Sequence, residues 1–126
     1  MNLERPWLQS YPAGVPAEID VDEFRSVAAV FDASVAKFRD RPAYSNFGKV
    51  LTYGQTDALV TRFAACLLGE LQLKKGDRVA VMMPNCLQYP IAISGILRAG
   101  LTVVNVNPLY TPRELKHQLV DCDASA

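Results

Sequence analysis

Apolar residues recur at helical spacing shortly after the first 25 residues. The stretch begins at Ser26, a residue type that accepts a hydrogen bond from a free backbone N–H at a helix start. The apolar positions that share one face are Val27, Val30, Phe31, Val35 and Phe38. This spacing predicts an amphipathic helix, and the run at residues 39–42 (RDRP) ends it.

A second helix is predicted after a short hairpin. Residues 43–47 and 49–53 flank Gly48, a pattern typical of two paired strands. Thr52 and Gln55 then form a capping box, in which each side chain accepts from the backbone N–H of the other residue. The apolar positions of the helix that follows are Val60, Phe63, Ala64, Leu67 and Leu71. We expect these residues to form its buried stripe.

Two nearly continuous apolar runs in the second half predict buried strands. They are residues 78–83 (RVAVMM) and residues 101–106 (LTVVNV). The stretch from about residue 86 to residue 99 predicts a helix between them, with Asn85 as its cap and Gly100 in the left-handed position after its end. Strand, helix and strand with short links indicate a right-handed parallel β-α-β unit.

A final helix is predicted after the loop at residues 107–110 (NPLY). Thr111 and Glu114 form a second capping box, with Pro112 at the first helical position. Two parallel strands are too few for a complete sheet, so the sequence predicts an incomplete α/β domain. We expect missing neighbours to leave apolar strand faces uncovered, which would cause poor solubility or self-association. The residues concerned are Val79, Val81, Val104 and Val106.

The first 25 residues are predicted to form an extended arm. Pro6, Pro12 and Pro16 remove backbone donors and disfavour a helix. We expect the aromatic side chains of Trp7 and Tyr11 to dock on the body of the protein.

Composition and charge argue against several classes of function. The 126 residues are 50% hydrophobic, which argues against disorder. The 13 basic and 13 acidic side chains are balanced and scattered, which argues against nucleic-acid binding. No stretch has the roughly 20 apolar residues of a membrane helix, and the start lacks the features of a signal peptide. The chain is therefore expected to be cytoplasmic. Its cysteines are odd in number and far apart, and with the single histidine they predict neither a disulfide framework nor a metal site.

The residues by themselves reveal no catalytic centre. The sequence has no glycine motif for phosphate binding, and the turn at residues 83–85 (MPN) has no glycine. Asn85 at a helix start could meet an anion, but ordinary capping explains it equally well. His117 between polar neighbours is typical of a solvated helix face rather than of a general base. Arg98 and Arg113 are candidates for ion pairs with further parts of a larger protein. We predict no catalytic, cofactor-binding or metal-ligating residue.

Three runs of the sequence are similar to acyl-CoA synthetases of the adenylate-forming superfamily. They are residues 73–85 (LKKGDRVAVMMPN), residues 95–100 (GILRAG) and residues 103–115 (VVNVNPLYTPREL). The first two runs are general to the superfamily. The third run, together with the opening at residues 7–19, resembles the bacterial long-chain fatty-acid–CoA ligases, and the likeness covers nearly the whole chain.

The resemblance implies a fold and a reaction. The fold is the incomplete N-terminal portion of an adenylate-forming enzyme, with residues 1–25 as the arm and residues 26–126 as the first part of the large N-terminal domain. In the reaction, a fatty-acid carboxylate attacks the α-phosphate of Mg-ATP, and the CoA thiol then displaces AMP from the acyl-adenylate. ATP, Mg2+ and CoA are expected in the full-length enzyme and not on this chain, which lacks the family's phosphate loop and catalytic lysine. We expect this chain alone to be inactive.

The same resemblance directs attention to the loop after the second parallel strand, because ligands of such sheets bind beyond the carboxyl ends of the strands. The candidate residues are Asn105, Asn107, Tyr110 and Thr111. One hypothesis is that the loop lines the acyl site or a domain interface. The other is that Pro108 and Pro112 only shape a strand-to-helix turn.

Other functions stay open at this point. A self-contained binding module that reuses this α/β start would have a stable fold and a partner but no nucleotide turnover. An aryl-CoA or medium-chain CoA ligase, or a fatty-acyl–AMP ligase, would share most of the motifs, although residues 107–115 favour the long-chain group. The expected partners of the full-length enzyme are the fatty acid, ATP and CoA. Homodimer formation and peripheral association with the inner membrane are left open.

Overall fold

The computed structural model describes residues 4–126, so the first three residues of the predicted arm lie outside the described residues. Within the arm, Pro6–Ser10 forms a short 3-10 helix, which departs from the extended backbone expected there. Proline suits this position because its fixed φ matches the first turn of a helix and its missing N–H is not needed there. Trp7 is 54% exposed and Tyr11 is 43% exposed, so the prediction that these aromatic side chains dock on the body is wrong.

Helix α1, Val27–Phe38, begins where the sequence predicts it. The Ser26 hydroxyl accepts a hydrogen bond from the Ala29 backbone N–H at 3.1 Å and caps the helix. Val35 is buried, whereas Val27 is 69% exposed, so the predicted apolar face of α1 is only partly covered.

A tight hairpin leads directly into the second helix. Strands β1 (Pro42–Asn46) and β2 (Lys49–Thr52) are antiparallel and joined by Phe47 and Gly48, both with positive φ. Helix α2, Tyr53–Gly69, then starts with the predicted capping box. The helix ends at Gly69, and Leu71 beyond it is 55% exposed, so its assignment to the buried stripe is wrong.

The parallel β-α-β unit is confirmed, with shorter elements than predicted. Its elements are β3 (Arg78–Val81), α3 (Gln88–Arg98) and β4 (Thr102–Asn105). Gly100 has φ of +75° directly after α3, as predicted for a left-handed cap position. The prediction that Asn85 caps α3 is wrong. The Tyr89 N–H donates to the Cys86 carbonyl at 3.1 Å, so a tight turn occupies the predicted first residues of the helix.

The core lies between one face of this unit and the helices. Its buried residues are Leu67, Val79, Val81, Ala92, Ile96 and Leu101. Val79, Val81 and Val106 are 6%, 3% and 4% exposed, so the prediction that they are uncovered is wrong; Val104 is half-buried. Val79 and Val81 lie on the same face of β3 because side chains alternate along a strand, and α2 and α3 cover that face.

The last residues of the chain follow helix α4, Pro112–Asp121, back to the sheet. The Ala126 N–H donates to the Arg78 carbonyl at 3.4 Å, and the Ala80 N–H donates to the Ala126 carbonyl at 2.7 Å. This pattern is that of a parallel pair, so β3 has hydrogen-bonded neighbours on both edges. The predicted α/β architecture with a parallel unit, a short hairpin and packed helices is confirmed. None of the helices within residues 4–126 is long and apolar enough to cross a membrane.

Candidate functional site

The loop after β4 lies at the carboxyl end of the parallel strands, as predicted, and all of its candidate side chains are exposed. Asn105 is the last residue of β4 and is fixed from two sides. Its Oδ1 accepts a hydrogen bond from the Tyr89 hydroxyl at 3.0 Å. Its backbone carbonyl accepts from Gln118 Nε2 at 2.8 Å. Because Tyr89 lies in α3 and Gln118 in α4, Asn105 joins both helices to the end of the strand.

Asn107 shapes the turn that follows. Its Oδ1 accepts from the Leu109 backbone N–H at 3.0 Å, and its carbonyl accepts from the Tyr110 N–H at 3.1 Å. An asparagine side chain that accepts from the backbone two residues ahead is a recurrent turn device. The contacts of Asn107 therefore support the hypothesis of a strand-to-helix turn.

Thr111 is the cap of α4. Its N–H donates to a Glu114 carboxylate oxygen at 2.8 Å, and its hydroxyl donates to the same oxygen at 2.7 Å. These hydrogen bonds hold the pKa of Glu114 below its usual value. The bond from the Thr111 hydroxyl has the larger effect, and the bond from its backbone N–H the smaller. Capping accounts for both the position and the contacts of Thr111.

Tyr110 differs from the other three candidates, because its side chain faces a cleft. The cleft has a volume of about 590 Å³ and is lined by Tyr110, Arg113, Glu114, His117, Gln118 and Asp121. The Oε1 atom of Gln118 is buried there and has no hydrogen-bond partner among the described residues. His117 is exposed on α4, as predicted for a solvated helix face. Of the four predicted residues, only Tyr110 lines this cleft.

A second cleft, which the sequence did not predict, lies between the hairpin and the start of α3. It has a volume of about 290 Å³, and its lining includes Tyr44, Asn46, Asn85, Cys86 and Tyr89. Asn46 Nδ2 donates to the Asn85 carbonyl at 3.4 Å across it. Burial, followed by the nearby Tyr53, raises the pKa of the Tyr44 hydroxyl. No local pattern marks this site, since the hairpin reaches it from about 40 residues away along the chain.

The prediction that ATP, Mg2+ and CoA bind outside this chain stays a prediction. Within residues 4–126, no three His, Cys, Asp or Glu side chains are grouped in a way that could hold a metal ion. The turn after β3 presents Pro84 and an exposed Asn85, without a glycine that would let a phosphate approach the backbone. Within the same range, Cys66, Cys86 and Cys122 are free thiols.

A charged network around Arg98 joins the three larger helices. Arg98 Nη1 donates to Asp57 Oδ1 and to Thr61 Oγ1, both at 2.8 Å, and Nη2 donates to Asp32 Oδ1. The guanidinium also lies over the Phe31 ring, 5.5 Å from its centroid. Burial lowers the pKa of Arg98, but the hydrogen bonds to the two aspartates outweigh it and the pKa is raised. The expectation that Arg98 pairs with a further part of a larger protein is therefore wrong.

The sequence matches a known family of enzymes and is similar to two bacterial ligases. Residues 31–126 match the family model described as AMP-binding enzyme. The chain is 56% identical over 124 residues to the long-chain-fatty-acid–CoA ligase of Escherichia coli O6:H1, an alignment that covers 98% of this chain and 22% of that protein. It is 43% identical over 128 residues to the long-chain-fatty-acid–CoA ligase of Bacillus subtilis, covering 99% of this chain and 22% of that protein.

A solved structure with a similar fold is the N-terminal subdomain of Klebsiella oxytoca NpsA in complex with anthranilyl-AMSN. It matches with a TM-score of 0.76 and 25% sequence identity, over 81% of this chain and 27% of that chain. The chain thus spans about 22% of the length of the two bacterial ligases that it matches.

Proposed function

Because this chain belongs to the family of AMP-binding enzymes, we propose that it is the first part of the large N-terminal domain of an ATP-dependent long-chain fatty-acid–CoA ligase. The complete polypeptide converts a fatty acid, ATP and CoA to acyl-CoA, AMP and pyrophosphate. The observation that carries this proposal is the 56% identity to the Escherichia coli ligase over 98% of the chain. The resemblance to long-chain ligases, inferred from residues 103–115 and the opening at residues 7–19, is confirmed by this identity, and the adenylate-forming fold by the NpsA subdomain.

The chain contributes a scaffold to this activity. Within residues 4–126, no three His, Cys, Asp or Glu side chains are grouped to hold Mg2+, and the turn after β3 has no glycine. We therefore assign the binding of ATP, Mg2+ and CoA to the remaining length of the polypeptide. Residues 1–25 are the arm and residues 26–126 begin the large domain.

The test of this function compares two polypeptides. The chain alone, incubated with palmitate, ATP, Mg2+ and CoA, is expected to form no thioester. A polypeptide in which this chain replaces the matching segment of the Escherichia coli ligase is expected to form palmitoyl-CoA, and to use benzoate poorly. Thioester formation by the chain alone would contradict the scaffold role, and a soluble chimera that forms no palmitoyl-CoA would contradict the long-chain assignment.

Tyr110 is proposed to line the acyl site or a domain interface in the complete enzyme. The proposal is supported by its position at the carboxyl end of β4 and by the cleft that it faces. Tyr110→Ala in the complete enzyme is expected to change the preference for acyl chain length or the turnover. Leu109→Ala, at a neighbouring side chain that is 86% exposed, is the matched control. Equal chain-length profiles and turnover for the two variants and the parent would exclude the lining role.

The complete enzyme is further proposed to act in the cytoplasm and to associate peripherally with the inner membrane. Proximity to the membrane would suit an enzyme whose substrate partitions into lipid. Fractionation of cells tests this proposal: release of membrane-bound enzyme by high salt indicates peripheral association, and recovery of all enzyme in the cytosolic fraction without salt excludes it.

A further inference from the structure

The two-residue loop between β1 and β2, called here the hairpin tip, carries an aromatic side chain that is entirely exposed. This residue is Phe47, which is 101% exposed and is followed by Gly48. Val50, further along β2, is 49% exposed. Because an apolar side chain stabilises a fold only when folding removes it from water, Phe47 makes no such contribution.

The backbone of Phe47 adds a second cost. Its φ is +46° and that of Gly48 is +76°, and a type I′ turn requires two such positive values. Glycine, asparagine and aspartate adopt this conformation readily, whereas the Cβ of a bulky side chain is strained in it. Phe47 is therefore unfavourable for folding in both its conformation and its exposure. A strained residue without burial in the fold points to a contact outside the fold.

The surroundings of the hairpin tip carry little charge, and that charge is positive. Lys49, which is exposed, is the only charged residue of the sequence between residues 42 and 56. The two clefts that the hairpin lines are bordered, apart from Lys49, by uncharged residues. Since none of these lining residues is a carboxylate, none would repel an anionic surface, and Lys49 would be attracted to it.

The shape of the hairpin tip favours a fluid surface over a protein partner. An aromatic side chain buries about 150–250 Å², whereas a stable protein interface buries roughly 800 Å² on each partner. A turn of two residues is too narrow to supply the difference. A lipid bilayer requires no matching pocket, because its acyl chains rearrange around a single inserted side chain. Binding through one small apolar anchor is weak and reversible, as in a peripheral membrane protein.

We propose that the hairpin tip docks on an anionic lipid bilayer, with Phe47 inserted into the bilayer interface and Lys49 beside the lipid phosphates. This inference rests on the peripheral membrane association proposed above and names the residues that make the contact. Docking through the hairpin tip holds the complete enzyme reversibly at the surface into which its fatty-acid substrate partitions.

The experiment measures binding of the complete enzyme to vesicles of phosphatidylglycerol and phosphatidylethanolamine by co-sedimentation. Phe47→Asn is expected to weaken this binding about tenfold or more. The same variant should keep or raise the midpoint of thermal unfolding, because asparagine suits a type I′ turn. Phe47→Trp is expected to retain the binding. Ile19→Asn, at a residue of the arm that is 82% exposed, is the matched control for loss of an exposed apolar side chain.

The charge of Lys49 is tested by a second pair of variants. Lys49→Glu is expected to weaken binding to the same anionic vesicles about fivefold or more, and to leave binding to phosphatidylcholine vesicles unchanged. Lys116→Glu, at an exposed lysine on α4, is the matched control and is expected to change neither.

Each outcome decides one point. Vesicle binding that is equal in the parent and Phe47→Asn, or equally weakened by Ile19→Asn, overturns the proposal, as does a parent that does not bind. Loss of self-association in Phe47→Asn with unchanged vesicle binding would overturn it in favour of a second copy of the chain. An active ligase whose vesicle binding is independent of Phe47 would refute this inference alone. Vesicle binding through Phe47 without formation of palmitoyl-CoA would refute the proposed reaction alone.

Discussion

The Tyr89 hydroxyl donates a hydrogen bond to Asn105 Oδ1 at 3.0 Å, and this contact links the start of α3 to the end of β4. The carbonyl of the same asparagine accepts from the side chain of Gln118 on α4. Two helices thus meet at one residue at the carboxyl end of the parallel strands. The contact sets where the following loop, and with it Tyr110, leaves the sheet.

Removal of the Tyr89 hydroxyl tests how much this link contributes. Tyr89→Phe is expected to lower the free energy of unfolding by about 0.5–1.5 kcal/mol, which is the net value of one hydrogen bond. The loss should lie toward the lower end of this range because Asn105 is exposed. Urea unfolding followed by circular dichroism provides the measurement. Tyr11→Phe, on the exposed arm, is the control and is expected to change nothing. A loss as small for Tyr89→Phe as for the control would show that the contact is not stabilising.

Gly95 allows α2 and α3 to approach closely. A Cβ atom built at this position would lie 2.7 Å from Phe63 Cδ1 and 3.3 Å from the Val60 carbonyl oxygen. Gly95→Ala is therefore expected to destabilise the chain by about 1–3 kcal/mol, because the overpacking cost exceeds the gain in helix propensity.

Gly69→Ala is the matched control for this effect. A Cβ at Gly69 meets nothing within 4 Å, so the propensity gain of up to about 1 kcal/mol should remain unopposed. Thermal or urea unfolding of both variants is expected to give shifts of opposite sign. Shifts of the same sign would mean that the packing of α2 on α3 does not constrain Gly95.

The sequence predicted those parts of the fold that depend on neighbouring residues. The caps at Ser26, Thr52 and Thr111 and the left-handed Gly100 are local devices, so their positions could be read from a few residues each. Two apolar runs separated by a helical pattern likewise predicted the parallel β-α-β unit, because its three elements follow one another along the chain.

The errors arose where a local pattern does not decide the outcome. Leu71 fits the apolar period of α2, but that helix ends two residues earlier. The aromatic side chains of the arm have no local signal for docking, and they are exposed. Tyr89 contacts Asn105 across 16 residues of sequence, and Asn46 contacts Asn85 across 39 residues. No local sequence motif predicts contacts between residues so far apart.

Arg98 is expected to hold α1 against α2 and α3. Arg98→Met keeps much of the side-chain length but leaves Asp57, whose side chain is 28% exposed, without its charged partner. We expect a loss of about 1–3 kcal/mol, below the roughly 3–5 kcal/mol of a fully buried pair because Asp32 is exposed. Arg98→Lys should recover little, since a lysine cannot bridge both aspartates and Thr61 with a planar fork.

Hydrogen exchange localises this effect. In Arg98→Met the amides of α1 are expected to exchange faster than in the parent, while those of α4, which is outside the network, keep their rates. Arg113→Met, at an exposed arginine on α4, is the control for charge removal. Uniform acceleration over the whole chain would indicate global destabilisation rather than release of α1.

The capping box of α4 predicts a specific dependence of stability on pH. Hydrogen bonds from Thr111 lower the pKa of Glu114 below its unfolded value of 4.5, so the folded state favours the ionised carboxylate. Such a group stabilises the fold fully above its unfolded pKa, and this contribution is lost as the pH falls through the lower, folded pKa.

Glu114→Gln preserves an acceptor for the Thr111 N–H but cannot titrate. The difference in unfolding free energy between parent and variant should therefore favour the parent at pH 6 and shrink steadily below about pH 4.5. Amide exchange in the first turn of α4 should follow the same course. A difference that stays constant from pH 6 to pH 3 would mean that the ionised form of Glu114 has no preferred role in this cap.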